Sequence, residues 1–167
     1  MIEVEISKEM LAKARSKAQA MGTLRNSITK GQGNIAGFLG EEMIMSVYDH
    51  IVPHNTYQHD LLSGRYSIEV KCKRQKSLDP PPLHYEASIA NYNPNQKADV
   101  LFFCRVSNCY KKGWIIGWIW KGEYFQKAKF HNKGDYDPSN GFIFKASCYN
   151  LRYSELKQPP TPNPSQR

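Results

Sequence analysis

Residues 58–73 read Gln-His-Asp-Leu-Leu-Ser-Gly-Arg-Tyr-Ser-Ile-Glu-Val-Lys-Cys-Lys (QHDLLSGRYSIEVKCK). Two short strand-like runs, Gln58 to Leu62 and Tyr66 to Lys73, flank a Ser63-Gly64 turn, which is the pattern of a β-hairpin. In the second run Ile68, Val70 and Cys72 alternate with Ser67, Glu69, Lys71 and Lys73. Successive strand side chains point to opposite faces, so Glu69 and Lys71 share one face, about 7 Å apart along it. A hairpin brings Asp60 alongside them. Two carboxylates meeting at a sheet end make a hard, oxygen-rich site of the kind Mg²⁺ prefers. An adjacent ammonium holds a water and offsets charge growing on a phosphate. These are the parts for metal-assisted phosphodiester hydrolysis.

Outward from this segment, Ile51 to Tyr57 is a further short run, interrupted by Pro53. Before it, Asn34 can cap a helix over Ile35 to His50 (IAGFLGEEMIMSVYDH). Its apolar residues fall on nearly every face, the pattern of a buried helix. Glu41 and Glu42 in its middle are therefore notable, because a buried carboxylate is costly unless paired or bound to a metal. After the hairpin comes a proline-rich loop at Leu78 to Pro82. A short helix is expected over His84 to Asn93, ahead of Pro94. Ala98 to Val106 (ADVLFFCRV) is almost continuously apolar, as in a strand covered on both faces.

Asp60-x8-Glu69-Val70-Lys71, behind a helix bearing Gly40-Glu41-Glu42, resembles the PD-(D/E)xK nuclease superfamily. The resemblance covers residues 35–106. It implies a restriction-endonuclease-like α/β fold with an αβββαβ core and a mixed central sheet flanked by helices. It implies a Mg²⁺-dependent deoxyribonuclease, with Mn²⁺ able to substitute and DNA as the partner. By this resemblance Asp60 and Glu69 match the metal-binding acids, Lys71 the catalytic lysine, and the Val70 carbonyl a backbone metal ligand. A glutamate on the first core helix completes such sites, and Glu41 or Glu42 matches it. The family's helix often reads Gly-Glu, which favours Glu41. His59 stands where the superfamily's name has proline. Small phage-encoded members have a similar single-domain form, which implies the host cytoplasm.

The remaining chain fits one domain over 1–157. Its parts are an N-terminal strand (1–6), helix (Lys8 to Met21, with Ser7 as N-cap) and basic loop over 1–34, the motif region over 35–106, and additional strands over 107–157. The length of 167 residues suits a single core. Residues 158–167 (QPPTPNPSQR) are expected to be disordered. No apolar run approaches the roughly 20 residues of a membrane span, and Met1 to Ile6 lacks a secretory signal pattern. Cytosolic placement and no membrane partner are therefore expected. Cys72, Cys104, Cys109 and Cys148 form no CxxC pair and read as reduced buried thiols, not a zinc site.

The formal net charge is +8, which favours a polyanionic partner. The charge is unevenly spread: residues 65–76 carry +4 and residues 111–133 carry +5, whereas residues 41–60 hold four acids and no Lys or Arg. Lys73, Arg74 and Lys76 run on from the hairpin as candidate phosphate contacts, which position a nucleic acid without reading its sequence. Arg25 and Lys30 lie in a stretch that reads equally as a phosphate contact or a solvated loop. Gln96 is a candidate at the start of the following strand, and Tyr85 a candidate base-stacking ring. Trp114, Trp118 and Trp120 have even spacing and are expected on one strand face, as core or as a homodimer interface. A non-catalytic nucleic-acid-binding module on the same fold is the alternative reading.

Overall fold

The computed structural model describes residues 1–21, 33–54, 59–90, 97–138 and 141–162. Its centre is the strand that carries the Glu-Val-Lys triplet, β4 (Tyr66–Gln75). A tight turn through Gly64, at a φ of 56°, joins it to β3 (Leu61–Ser63). That left-handed backbone is one glycine adopts without steric cost. β3 pairs antiparallel with both β4 and β2 (Ile51–Pro53). On its other side β4 runs parallel to β6 (Val100–Ser107), which pairs antiparallel with β7 (Lys112–Trp120). β1 (Ile2–Glu5) closes the far edge against β7, giving a six-stranded mixed sheet in the order β1-β7-β6-β4-β3-β2.

Helices cover one face. Ser7 accepts the Met10 N–H at 3.1 Å and caps α1 (Lys8–Met21), as Ser does at helix starts. α2 (Gly33–Val47) packs between α1 and the sheet, burying Leu39, Met43 and Ile44 against Ile68, Val70 and Phe102. Its all-round apolar character follows from this sandwiched position. Gly40 sits directly on β4. A Cβ there would lie 2.9 Å from Cys72 Cβ and 3.0 Å from Val70 Cγ1.

A second apolar core fills the opposite face. There Leu101, Phe103 and Trp114 pack under Ala87, Ile89 and Leu151, which belong to a three-stranded sheet. This sheet consists of β5 (Glu86–Ala90), β8 (Lys129–His131) and β11 (Cys148–Arg152), in the order β5-β11-β8. The helix α3 (Lys121–Lys127) adds Tyr124, whose hydroxyl lies 2.8 Å from both the Ala87 and Tyr149 carbonyls. β9 (Tyr136–Asp137) and β10 (Phe142–Ile143) form a small separate hairpin. The protein is thus an α/β molecule built on a mixed sheet. No helix among the described residues is long and apolar enough to cross a membrane.

Three local expectations are corrected. Residues 84–93 do not form a helix over their described part: Glu86 to Ala90 is strand β5. Alternate burial of Ala87 and Ile89 against the second core, with five antiparallel pairings to β11, overrides the helical preference of Glu and Ala. The three tryptophans do not share a face. Phe103 pairs with Gly117 but Cys104 with Ile115, so Ile116 is an extra residue in β7. This bulge reverses the alternation, sending Trp114 to the second core and Trp118 to the first. Trp114 is fully buried, which removes it from any interface. In the proline-rich tail, two carbonyls are held. Trp118 Nε1 donates to the Gln158 carbonyl at 3.1 Å and the Tyr48 hydroxyl to the Pro160 carbonyl at 2.8 Å. All four cysteines are free thiols, but Cys109 is exposed, not buried.

Candidate functional site

β3 and β4 diverge just past Leu61, and there Asp60 takes over the ladder. Its N–H donates to the Ile68 carbonyl at 2.9 Å, and its Oδ2 accepts the Val70 N–H at 2.8 Å. The carboxylate is thereby fixed beside the strand that carries the other two candidate groups. Glu69 and Lys71 share the face that looks toward the second core, as their alternation requires. Lys71 Nζ donates to Glu69 Oε1 at 2.5 Å. The glutamate is buried and the lysine partly open, with side-chain exposures of 10% and 32%. Ile89, Ala98, Leu101, Lys121 and Phe125 complete a small cleft around them, about 10 Å³ in volume. That is room for about one water.

Burial and Glu69 push the Asp60 carboxyl up to about 6; the Val70 N–H and Lys71 oppose this but do not cancel it. Carboxylates that share a low-dielectric site behave this way. Glu41 is the third acid. It enters from α2, is only 4% exposed, and is pushed up to about 8 by burial and then by Asp60, with Glu42 and Glu69 adding smaller repulsions. Lys17 of α1 opposes that rise, yet its Nζ stays 3.7 Å from Glu41 Oε2. This oxygen is buried with no hydrogen-bond partner. Glu42 differs: Lys17 donates to its Oε1 at 2.9 Å. Of the two helix glutamates, Glu41 therefore carries the electrostatic link to Asp60 and Glu69. Lys17 had no signal in the sequence, because its role depends on how α1 lies against α2.

No protein-family model matches the chain, and no curated protein matches it.

The residues expected to bind a metal offer hard oxygens: the carboxylates of Glu41, Asp60 and Glu69 and the Val70 carbonyl. Such a set suits Mg²⁺ over softer metals. The orphaned Glu41 oxygen and the raised Glu41 and Asp60 pKa values mark the charge that a cation would neutralise. Among the described residues, no three His, Cys, Asp or Glu side chains stand as a ready-made metal-binding group. Glu69 Oε1 is engaged by Lys71 and Asp60 Oδ2 by the Val70 N–H.

The other candidates are scattered. Lys73, Arg74 and Lys76 are all exposed, but they do not form one track. Lys73 shares the Lys71 face, Arg74 points to the opposite one, and Lys76 lies beyond the strand end. Tyr85 is 40% exposed, with the Arg105 guanidinium 5.1 Å from its ring centroid. Arg25, Lys30 and Gln96 lie outside the described residues. His59 stacks on His54 with ring centroids 4.9 Å apart. Ser67 and Asp99 form a staple that the residue pattern did not reveal. The Ser67 N–H and hydroxyl donate to Asp99 Oδ2 at 2.9 and 2.8 Å, tying the start of β4 to the approach to β6.

Proposed function

We propose that this protein is a Mg²⁺-dependent deoxyribonuclease of the PD-(D/E)xK superfamily, an endo- or exonuclease that cuts phosphodiester bonds structure-selectively or with weak sequence specificity. The observation that carries the reading is Glu41: a buried carboxylate with an unpartnered oxygen, electrostatically tied to Asp60 and Glu69. Lys17, 3.7 Å from that oxygen, offsets the burial and the neighbouring acids only in part; a buried carboxylate so placed is costly, and a divalent cation would remove that cost. The element order α2-β2-β3-β4-β6, with an antiparallel meander followed by a parallel strand, supports the restriction-endonuclease-like core. Strand β5 stands where that core has its second helix.

In this reading Glu41, Asp60, Glu69 and the Val70 carbonyl hold the ion. The chemistry that Mg²⁺ supplies when bound is polarisation of a phosphoryl oxygen and a lowered pKa for water. Lys71 positions the water and balances charge developing on the phosphate. Lys71 is now paired with Glu69; were Glu69 to hold a cation, the Lys71 ammonium would be free to face the scissile group. The net charge of +8 draws the polyanion in.

The test is incubation of the purified protein with single-stranded, linear duplex, nicked and branched DNA, with Mg²⁺ and with EDTA. Mg²⁺-dependent cleavage is expected, lost in Glu69→Ala and Lys71→Ala. Equal cleavage by both variants would sink the assignment. Salt-sensitive, metal-independent binding with no cleavage on any substrate would instead establish the non-catalytic binding module.

A further inference from the structure

The parallel pairing of β4 with β6 sets Lys73 directly opposite Arg105. Arg105 turns toward the face of the second core, where its Nε donates to the Tyr153 hydroxyl at 2.7 Å. Lys73 points the same way, one strand repeat beyond Lys71. Like charges at directly opposed sheet positions destabilise the pairing. Among the described residues neither cation has a carboxylate within ion-pair distance. Crowding by surrounding atoms, and then Arg105, pushes the Lys73 ammonium down to about 8, although the residue as a whole is exposed. Glu86 favours the charged Lys73 from beyond ion-pair distance, and less than Arg105 disfavours it; two adjacent cations with no ion-paired carboxylate therefore face the same side as the Glu69–Lys71 pair.

An aromatic ring completes the arrangement. Arg105 Cζ lies 5.1 Å from the Tyr85 ring centroid and 5.7 Å from that of Tyr153. Tyr153 is buried in the core and Tyr85 is 40% exposed. The backbone around Tyr85 is held at both ends: its N–H donates to the Pro82 carbonyl at 3.1 Å, and its carbonyl accepts the Tyr153 N–H at 2.9 Å. The Tyr85 ring meets His84 edge-on, with centroids 5.1 Å apart, and stays partly open; beside two cations with no ion-paired carboxylate, it offers a base a stacking partner and they offer a phosphate its counter-charge.

We infer that Lys73, Arg105 and Tyr85 form a phosphate-and-base subsite for single-stranded nucleic acid, about 7 Å along β4 from Lys71. The inference rests on the nucleic-acid reading proposed above and names the form of substrate that reaches the site. The strand is single because only an unpaired base exposes a free face to a protein ring. A duplex presents its phosphates there and keeps its bases stacked inside. Arg105 supplies planar guanidinium donors beyond the one engaged by Tyr153, and Lys73 a compact point charge.

The experiment measures binding of the full chain in EDTA, by fluorescence anisotropy, to a labelled oligothymidine strand and to a blunt duplex over a range of salt. Lys73→Gln and Arg105→Gln are each expected to flatten the slope of log affinity against log salt by about 0.7 on the single strand. Tyr85→Leu is expected to weaken single-strand binding about ten-fold, with the salt slope and duplex binding unchanged. Lys129→Gln, on β8, serves as a charge control and shifts the slope less than either. No single-strand binding by the parent protein, unaltered slopes in the cation variants, or an equal loss of duplex and single-strand affinity in Tyr85→Leu would each overturn the subsite. If Arg105→Gln fails to unfold cooperatively, Lys73→Gln and Tyr85→Leu decide the matter. Turnover with Mg²⁺ is scored separately: a protein that binds single strands through these residues yet cuts none loses the nuclease reading and keeps the subsite.

Discussion

Asp60 accepts the Val70 backbone N–H at 2.8 Å through one oxygen of a carboxylate whose pKa is raised to about 6. One side chain thus closes the β3–β4 ladder and also acts electrostatically on Glu41 while being raised by Glu69. The two roles separate by substitution. Asp60→Asn keeps an acceptor oxygen for Val70 and removes the charge. Asp60→Ala leaves the Val70 N–H without its partner, a loss of about 1–3 kcal/mol. In metal-free buffer the Asn variant is expected to be at least as stable as the parent, and the Ala variant less stable than Asn by that amount. Both are expected to be inactive in cleavage. Urea unfolding and a DNA cleavage assay check this, and equal stability of the two variants contradicts it.

Glu41 and Asp60 also set a pH dependence. Both folded pKa values are raised above the unfolded ones, to about 8 and about 6. Between the unfolded and folded values the native state therefore binds more protons than the unfolded state. Stability then falls as pH rises. In EDTA the contribution of these groups is fully present near pH 4 and is lost progressively up to about pH 8. Its size is on the order of a few kcal/mol. Glu41→Gln is expected to flatten the upper part of this profile, seen as a smaller fall in the unfolding midpoint between pH 6 and pH 8.

Divalent cation is expected to reverse that loss. A cation held by carboxylates needs them deprotonated, so its affinity rises with pH. Adding Mg²⁺ should raise Tm more at pH 8 than at pH 6, with about 2.7 kcal/mol gained at a hundred times Kd. The gain is expected to vanish in Glu41→Gln and Asp60→Asn. A Mg²⁺ response that survives in both variants places the ion elsewhere.

Two glycines on α2 form a matched pair. At Gly37 nothing lies within 4 Å of the point an added Cβ would occupy, whereas at Gly40 that point falls 2.9 Å from Cys72 Cβ. Gly37→Ala is expected to stabilise the helix by up to about 1 kcal/mol. Gly40→Ala pushes α2 off β4 and costs about 1–3 kcal/mol. Because Glu41 follows Gly40, the same displacement is expected to reduce cleavage beyond the stability loss. Thermal unfolding and cleavage rates at a temperature where both variants are folded separate the two effects.

Much of this organisation is legible in the chain because it is local. The alternation in YSIEVKCK puts Glu69 and Lys71 together whatever surrounds them. Ser7 caps α1, and a turn at Gly64-Arg65, one residue on from the expected Ser63-Gly64, joins two strands, for reasons contained in a few residues. Other features needed partners distant in sequence. Glu86 to Ala90 becomes a strand because β11 lies beside it, and the same residues without that neighbour favour a helix. The extra residue Ile116 in β7 is set by its pairing with β6, so the even spacing of the three tryptophans pointed to the wrong face. The tail from Gln158 to Pro160 is composed like a disordered segment, yet Trp118 and Tyr48 hold its carbonyls.

The sequence by itself determined the hairpin, the shared face of Glu69 and Lys71, and the contrast between an acidic stretch and its basic flanks. These follow from strand geometry, turn chemistry and composition, which act between near neighbours. Only the tertiary structure distinguishes the surroundings of the adjacent Glu41 and Glu42. They lie about 100° apart around the helix, so Lys17 hydrogen-bonds Glu42 at 2.9 Å and stays 3.7 Å from Glu41, which feels Asp60 and Glu69. It also decided that Arg105 faces Lys73. The parallel register of two strands separated by 24 intervening residues, 76–99, fixes that pair, and no local pattern in either strand encodes it.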